Sequence, residues 1–328
     1  MTIPSSPAGK PDIDAESART PNDDALAPPT PPGARRLPTN LKEAIIRATH
    51  YLHSRSVPSP RLDAELLIAH VLGCRRLDLY LNYDRPLTGE EYKAITAPIL
   101  RRGSGVPAAY ITGKKEFYSL DFIVDESVLI PRPETEFLVS ESLMDIRTRK
   151  LTEPAILEIG TGSGAVAVSL AASLDAAHIT ATDISEGALK TAKRNCEHHG
   201  VSSRVTLRPG SLYEPVEGET FDLIVSNPPY LTDAEMGSLP PDVENEPRAA
   251  LAAGPEGLDV IRPLVACASE HLRDSGCLIF EIGAAQKDAV IRLVDETERM
   301  KLRSVIHDYA GHPRVVVAER KERGTPNA

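Results

Sequence analysis

Ala155-Ile156-Leu157-Glu158-Ile159-Gly160-Thr161-Gly162-Ser163-Gly164 is the stretch whose reading decides the fold. A short apolar run of strand type enters a loop with glycine at alternate positions. Ala165 to Leu174 then continues as a helical pattern. Glycine lets the chain turn tightly and brings its backbone close to a ligand. The helix that follows points its first amide hydrogens at that ligand. Gly160, Gly162 and Ala165 also satisfy the GxGxxG/A spacing of dinucleotide sites, so the loop alone leaves the ligand open.

Outward from this loop, strands and helices alternate. Ile179 to Thr182, Val205 to Leu207, Phe221 to Ser226, Cys277 to Ile282, Ser304 to Asp308 and Arg314 to Ala318 read as further strands. Glu186 to His198 and Asp259 to Arg273 read as helices between them. Such alternation predicts an α/β doubly wound sheet, with ligands outside the carboxyl ends of its strands. The last two strands are joined only by Tyr309-Ala310-Gly311-His312-Pro313. That link permits an antiparallel edge pair but no parallel crossover, so the sheet is mixed.

The second strand ends at Asp183, roughly 20 residues beyond the glycines, where a carboxylate accepts hydrogen bonds from both hydroxyls of a ribose. NAD and S-adenosylmethionine both carry such a ribose, and Asp183 is also placed to cap the helix at Ser185-Glu186. The fourth strand discriminates. It ends in Asn227-Pro228-Pro229-Tyr230, and two prolines neither continue a ladder nor start a helix. They hold a rigid loop at the ligand face. An amide or exocyclic amine is a poor nucleophile because its lone pair is delocalised. The Asn227 side-chain oxygen and the Pro228 carbonyl suit the two hydrogens of such a nitrogen, and Tyr230 offers a flat surface to a planar group. With an activated methyl donor, rate comes from positioning and electrostatics rather than from a strong base.

Ahead of this unit, Leu41, Ala44, Ile45, Ala48 and Leu52 recur at helical spacing. Ser59-Pro60 opens a second helix with Leu62, Leu66, Leu67, His70 and Val71 on one face, stopped by Gly73. Thr88-Gly89-Glu90-Glu91 opens another. A small all-helical domain is therefore expected over 39–105, for holding a macromolecular partner or the core. Over 106–131 the period changes: Ala109, Ile111, Phe117, Leu120, Phe122, Val124, Val128 and Ile130 read as strands, with turns at Thr112-Gly113 and Asp125-Glu126-Ser127. A β-hairpin linker is the expectation. The catalytic domain is expected over 132–322, with a Pro-rich disordered tail over 1–38 and a flexible end over 323–328.

Composition narrows the function. Of 328 residues 41% are apolar and 26% charged, which is ordinary for a globular protein, and the net charge of −10 disfavours a broad nucleic-acid face. The four cysteines form no CxxC pair, so no metal site or disulfide framework is signalled. No membrane span and no targeting segment are read, which points to the cytoplasm.

From about residue 40 to 320 the chain resembles the glutamine N5-methyltransferases of peptide-chain release factors, of the HemK/PrmC type. The resemblance is carried by Arg61 to Leu67, Tyr110-Ile111-Thr112-Gly113 with Glu116-Phe117-Tyr118, and Leu129-Ile130-Pro131-Arg132-Pro133-Glu134-Thr135-Glu136. It continues through the glycine loop, Asn227 to Tyr230, Glu246-Pro247, Ala250-Leu251 and Gly254 to Leu258. It implies a class I methyltransferase fold, Rossmann-like with seven strands, acting on the glutamine of a Gly-Gly-Gln loop with S-adenosylmethionine as donor. By position it assigns Gly160, Thr161, Gly162, Ser163, Gly164, Asp183, Leu212 and Asn227 to the donor. Leu212 packs on the adenine, and Ser211 stands before it where the family often has an acid. Asn227, Pro228, Pro229 and Tyr230 line the glutamine pocket, with Asn227, Pro228 and Tyr230 at the chemistry, and Arg132 and Glu136 form a wall nearby. Release factors are the implied partner of a monomeric enzyme, without nucleic acid. A ribosomal-protein glutamine methyltransferase or an adenine-N6 methyltransferase shares the Asn227 chemistry.

Overall fold

The computed structural model describes residues 37–322. Of the expected tails, 1–38 and 323–328, all but Leu37 and Pro38 lie outside the described residues. The chain forms two compact units, one closing at Leu100 and the other beginning at Arg101.

The first unit is helical. Helix α1 (Leu41–Ser54) starts where the Asn40 side chain accepts from Glu43 N at 3.0 Å, and it buries Leu41, Ala44, Ile45, Ala48 and Leu52. Helix α2 (Pro60–Leu72) has proline in its first turn and ends at Gly73, which takes the left-handed conformation at φ 63°. Its inward face is Ala64, Leu67 and Ile68, whereas Leu62 and Leu66 are exposed; the stripe is rotated from the one read in the sequence. Glu65 explains the rotation. This buried carboxylate pairs with Arg61 at 2.9 Å and accepts from Tyr80 OH on α3 (Arg76–Leu81), so a charge occupies the face that periodicity alone gives to apolar groups. Helix α4 (Gly89–Gly103) follows.

In the second unit, helix α5 (Ala108–Thr112) replaces the strand expected at Ala109 and Ile111. The hairpin itself is β1 (Lys114–Phe117) and β2 (Leu120–Ile123). Its turn lies at Tyr118-Ser119, with φ of 49° and 60°. The turn expected at Asp125-Glu126-Ser127 is present, closed by Val128 N donating to Asp125 O at 3.2 Å, but it follows β2, and Val124, Val128 and Ile130 lie in loop rather than strand. Tight hairpins want positive φ at both central residues, usually supplied by Asn-Gly, so a Tyr-Ser turn carries no signal in sequence. Phe117 and Phe122 pack edge to face and bury in the main core of this unit, with Leu138 and Val139.

Helix α6 (Glu136–Thr148) leads into a seven-stranded sheet of order β5-β4-β3-β6-β7-β9-β8. Its strands are β3 (Ala155–Ile159), β4 (His178–Asp183), β5 (Val205–Pro209), β6 (Phe221–Ser226), β7 (Leu272–Glu281), β8 (Met300–His307) and β9 (Pro313–Arg320). The first five run parallel; β9 is antiparallel to β8, as the short Tyr309–Pro313 link required, and antiparallel to β7 as well. Between the strands come α7 (Ala165–Ser173), α8 (Glu186–His198), the single turns α9 (Asp233–Met236) and α10 (Pro241–Glu244), α11 (Ile261–His271) and α12 (Lys287–Glu296). Strand β6 is buried at all its residues, as a central parallel strand must be.

The order reverses between β3 and β6, which opens a crevice at their carboxyl ends. One buried side chain ties the hairpin to that crevice. Asn195 on α8 accepts from Ile123 N at 2.8 Å and donates to the carbonyls of Ile123 and Ser163 at 2.9 and 2.8 Å. Asn195→Leu leaves three backbone groups without this partner, that of Ser163 fully buried. It is predicted to cost about 2–4 kcal/mol, read as a lower denaturant midpoint by circular dichroism; an unchanged midpoint contradicts this role.

Candidate active site

Two cavities share one wall. The larger, about 360 Å³, is lined by the glycine loop, Asp183, Ile184, Leu212, Thr135 and Asn227. The smaller, about 140 Å³, is lined by Leu129, Arg132, Asn227, Pro228, Tyr230 and Leu251. Asn227 borders both.

The register of the sheet builds this arrangement. Ile159 and Ser226 are paired across β3 and β6, and Ser226 Oγ donates to Ile159 O at 2.8 Å. The residues that follow, Gly160 and Asn227, therefore leave the sheet side by side. Gly160 N and Thr161 N donate to Thr182 O at 2.9 Å, which draws the loop onto the end of β4. Gly160 and Gly162 take φ of 75° and 55°, and a Cβ on either would stand in open space. The loop is thus a bare backbone cradle facing the larger cavity.

Beneath the loop lies Glu158, fully buried. It accepts from Thr161 Oγ1 at 2.6 Å and from Ala167 N at 3.1 Å. Burial and the nearby Asp183 push its carboxyl up to about 8 despite those bonds. Asp183 accepts from Gly162 N and Ser185 N, each at 2.8 Å, and burial raises its pKa as well. It is not the cap of α8, because Ser185 fills that role and accepts from Ala188 N at 3.2 Å. Beside it Ile184 is 73% exposed, an apolar side chain left at the rim of a cavity. Leu212 lines the same cavity at φ 47°, held by the next residue: Tyr213 stacks on His271 and donates to Leu264 O at 2.8 Å. Ser211 also lines the cavity.

Across the crevice, Asn227 Nδ2 donates to Thr135 Oγ1 at 3.0 Å. Thr135 in turn donates to Glu281 Oε2 at 2.7 Å, and Tyr230 OH donates to Glu281 Oε1 at 3.2 Å. Glu281, at the end of β7, is buried, and burial pushes its carboxyl up to about 7. Gln286 fixes the backbone of the same loop, donating to Tyr230 O and Gly257 O at 2.9 Å. A Cβ on Gly257 would lie 2.3 Å from Tyr230 O, so the Gly254–Leu258 segment must carry glycine there to pass so close. Glu246, also buried, pairs with Arg132 and accepts from Ile130 N at 3.0 Å.

The residues read from sequence thus come together, with differences. Pro229 faces the larger cavity and Pro228 the smaller. Arg132 pairs with Glu246 rather than Glu136, whose carboxylate accepts from Tyr118 N at 2.9 Å and lines neither cavity. Thr135, Glu158, Ile184, Glu281 and Gln286 carried no role in the sequence reading. Only a carboxylate at the C-terminal end of a central strand, as at Glu281, offered a signal.

Known proteins bear on this geometry. A release factor glutamine methyltransferase of Rhodopirellula baltica is 43% identical over 82% of this chain and 92% of its own length. The chain belongs to the release factor glutamine methyltransferase family. Other members are that of Geobacter sulfurreducens, 45% identical over 75% of this chain and 85% of the relative, and that of Moorella thermoacetica, 40% identical over 86% and 99%. Family models describing a PrmC N-terminal domain and a methyltransferase small domain match residues 43–113 and 135–239. Membership makes the chain an enzyme of class I methyltransferase fold and implies a methyl donor of the S-adenosylmethionine type. Among the described residues no helix is long and apolar enough to cross a membrane.

The bare glycine cradle, the Asp183 carboxylate and the apolar Ile184 and Leu212 fit a nucleoside-bearing donor. Asp183→Asn is predicted to weaken S-adenosylmethionine binding about 10- to 100-fold, the loss of charge-assisted hydrogen bonds, read by calorimetry. Undiminished affinity removes Asp183 from the donor site.

Proposed function

We propose that the chain transfers a methyl group from S-adenosylmethionine to the side-chain amide nitrogen of the glutamine in the Gly-Gly-Gln loop of a peptide-chain release factor. It works in the cytoplasm, as a monomer, on a protein and not on nucleic acid. Residues 39–105 form a substrate-recognition domain, 106–131 a linker, and 132–322 the catalytic domain.

The reading rests on Asn227, which stands at the wall between the two cavities with its Nδ2 already engaged by Thr135. That bond leaves Oδ1 to accept. When bound, the donor supplies a methyl group on a positively charged sulfur. The glycine loop, Asp183, Ile184 and Leu212 would hold it in the cavity that Asn227 borders. Asn227 Oδ1 and Pro228 O accept the two hydrogens of the acceptor amide, pull its nitrogen out of conjugation and turn its lone pair toward the donor. As the new N–C bond forms, the C–S bond breaks and its electrons return to sulfur. The nitrogen then loses one proton to solvent. Tyr230 packs against the flat amide, and its own hydroxyl, kept neutral by burial beside Glu281, takes no proton in this scheme. The rate comes from alignment and from fixed acceptors.

Incubation of the enzyme with a release factor and labelled donor, followed by peptide mass spectrometry, is expected to find one methyl on the loop glutamine. The same release factor with that glutamine changed to alanine is expected to gain none. Methyl in a ribosomal protein or in DNA, with none in the release factor, contradicts the proposal. Asn227→Ala is predicted to lower turnover about 100-fold or more, with a much smaller loss of donor affinity.

A further inference from the structure

Four side chains from distant parts of the chain form one line of hydrogen bonds centred on the buried Glu281: Asn227 to Thr135, Thr135 to Glu281, with Tyr230 meeting the same carboxylate from the other side. We propose that Glu281 is the positioning residue for methyl transfer, acting through Thr135 to fix which way round the Asn227 amide stands and, directly, where the Tyr230 hydroxyl points. The inference rests on the function proposed above.

A carboxylate only accepts, so both hydroxyls that reach Glu281 must donate to it. Thr135 has a single hydrogen, and Glu281 takes it. Its oxygen can then only accept from Asn227, so the group that Asn227 turns to it must be Nδ2. Oδ1 is thereby left to the acceptor pocket. No described group donates to that oxygen. A primary amide has two ends of nearly equal size, and a reversed Asn227 would present hydrogens to a nitrogen that itself carries hydrogens. Packing does not distinguish the two orientations; the line of hydrogen bonds ending at Glu281 does.

Protonation of Glu281 reverses one arm of this line. An O–H on Oε2 would donate to Thr135, release its hydrogen toward Asn227 and favour the reversed amide. An O–H on Oε1 would donate to Tyr230 and free its hydroxyl. The groups facing Glu281 are Thr135 and Tyr230 by hydrogen bond, Arg314 from β9, which favours the carboxylate, and Glu134 ahead of α6, which opposes it. Burial dominates and holds its titration near 7. Turnover should therefore be full above that value and fall as pH drops through it.

The test uses the full-length enzyme with a release factor substrate, comparing wild type, Thr135→Val, Thr135→Ser and Glu281→Gln. Valine keeps the shape of threonine and removes the hydroxyl, and glutamine removes the buried charge, so both should fold. Melting temperature and S-adenosylmethionine affinity report on that. Thr135→Val is expected to lower kcat about 100-fold, as loss of an oriented group does at such sites, with KM and donor affinity within about threefold. Thr135→Ser should recover most of the rate. Glu281→Gln should lose the limb of the kcat–pH profile near 7. A Thr135→Val enzyme with kcat within about threefold of wild type, or an acidic limb that persists in Glu281→Gln, overturns the proposal. An inactive wild type would instead count against the function proposed above, and is told apart by that control.

Discussion

Strands β3 and β6 lie side by side in parallel at the centre of the sheet, with Ile159 opposite Ser226 and the Ser226 hydroxyl bonded to the Ile159 carbonyl. Everything at the site follows from that register. It makes the bare glycine loop and the Asn227-Pro228-Pro229-Tyr230 loop emerge together. A slip of one residue would turn every side chain of β6 to the opposite face and carry Asn227 away from the crevice. Both strands are buried, β6 throughout, so the register is held by the core on both faces of the sheet as well as by its hydrogen bonds.

Around this pair the molecule places acids where water does not reach. Glu158 lies under the glycine loop, Glu281 behind Asn227 and Tyr230, and Glu246 under Arg132. Burial raises the pKa of all three. A buried carboxylate is costly unless its lone pairs are filled, and each here accepts bonds from groups that the site must orient. Glu158 steers Thr161, Glu281 steers Thr135 and Tyr230, and Glu246 holds Ile130 and Arg132. The cost of burying the acids is balanced by bonds that leave each group one arrangement.

Much of this was legible in the sequence. Glycine spacing, an acid after the second strand and a double proline after the fourth are local signals, because each is a backbone requirement written within a few residues. Ala155–Ile159, Phe221–Ser226 and Glu186–His198 fall where the sequence puts them. Other parts were not legible, for physical reasons. Glu281 and Thr135 are 146 residues apart, and nothing local marks a glutamate in a strand as the partner of a threonine at a helix start. The Tyr118-Ser119 turn is paid for by the buried Phe117 and Phe122 rather than by turn residues. Helix α2 hides a charge where periodicity expects a leucine, because Arg61 and Tyr80 come to meet it.

In the proposed reaction Asn227 presents its oxygen, and not its amide hydrogens, to the nitrogen that is methylated. A crystal structure of the enzyme with S-adenosylhomocysteine and a Gly-Gly-Gln peptide, extended by neutron diffraction to locate the hydrogens, tests it most directly. Deuterium is expected on Asn227 Nδ2 directed at Thr135, with Asn227 Oδ1 and Pro228 O each accepting a hydrogen of the glutamine amide. An Asn227 amide turned the other way, with Nδ2 facing the glutamine nitrogen, would contradict it.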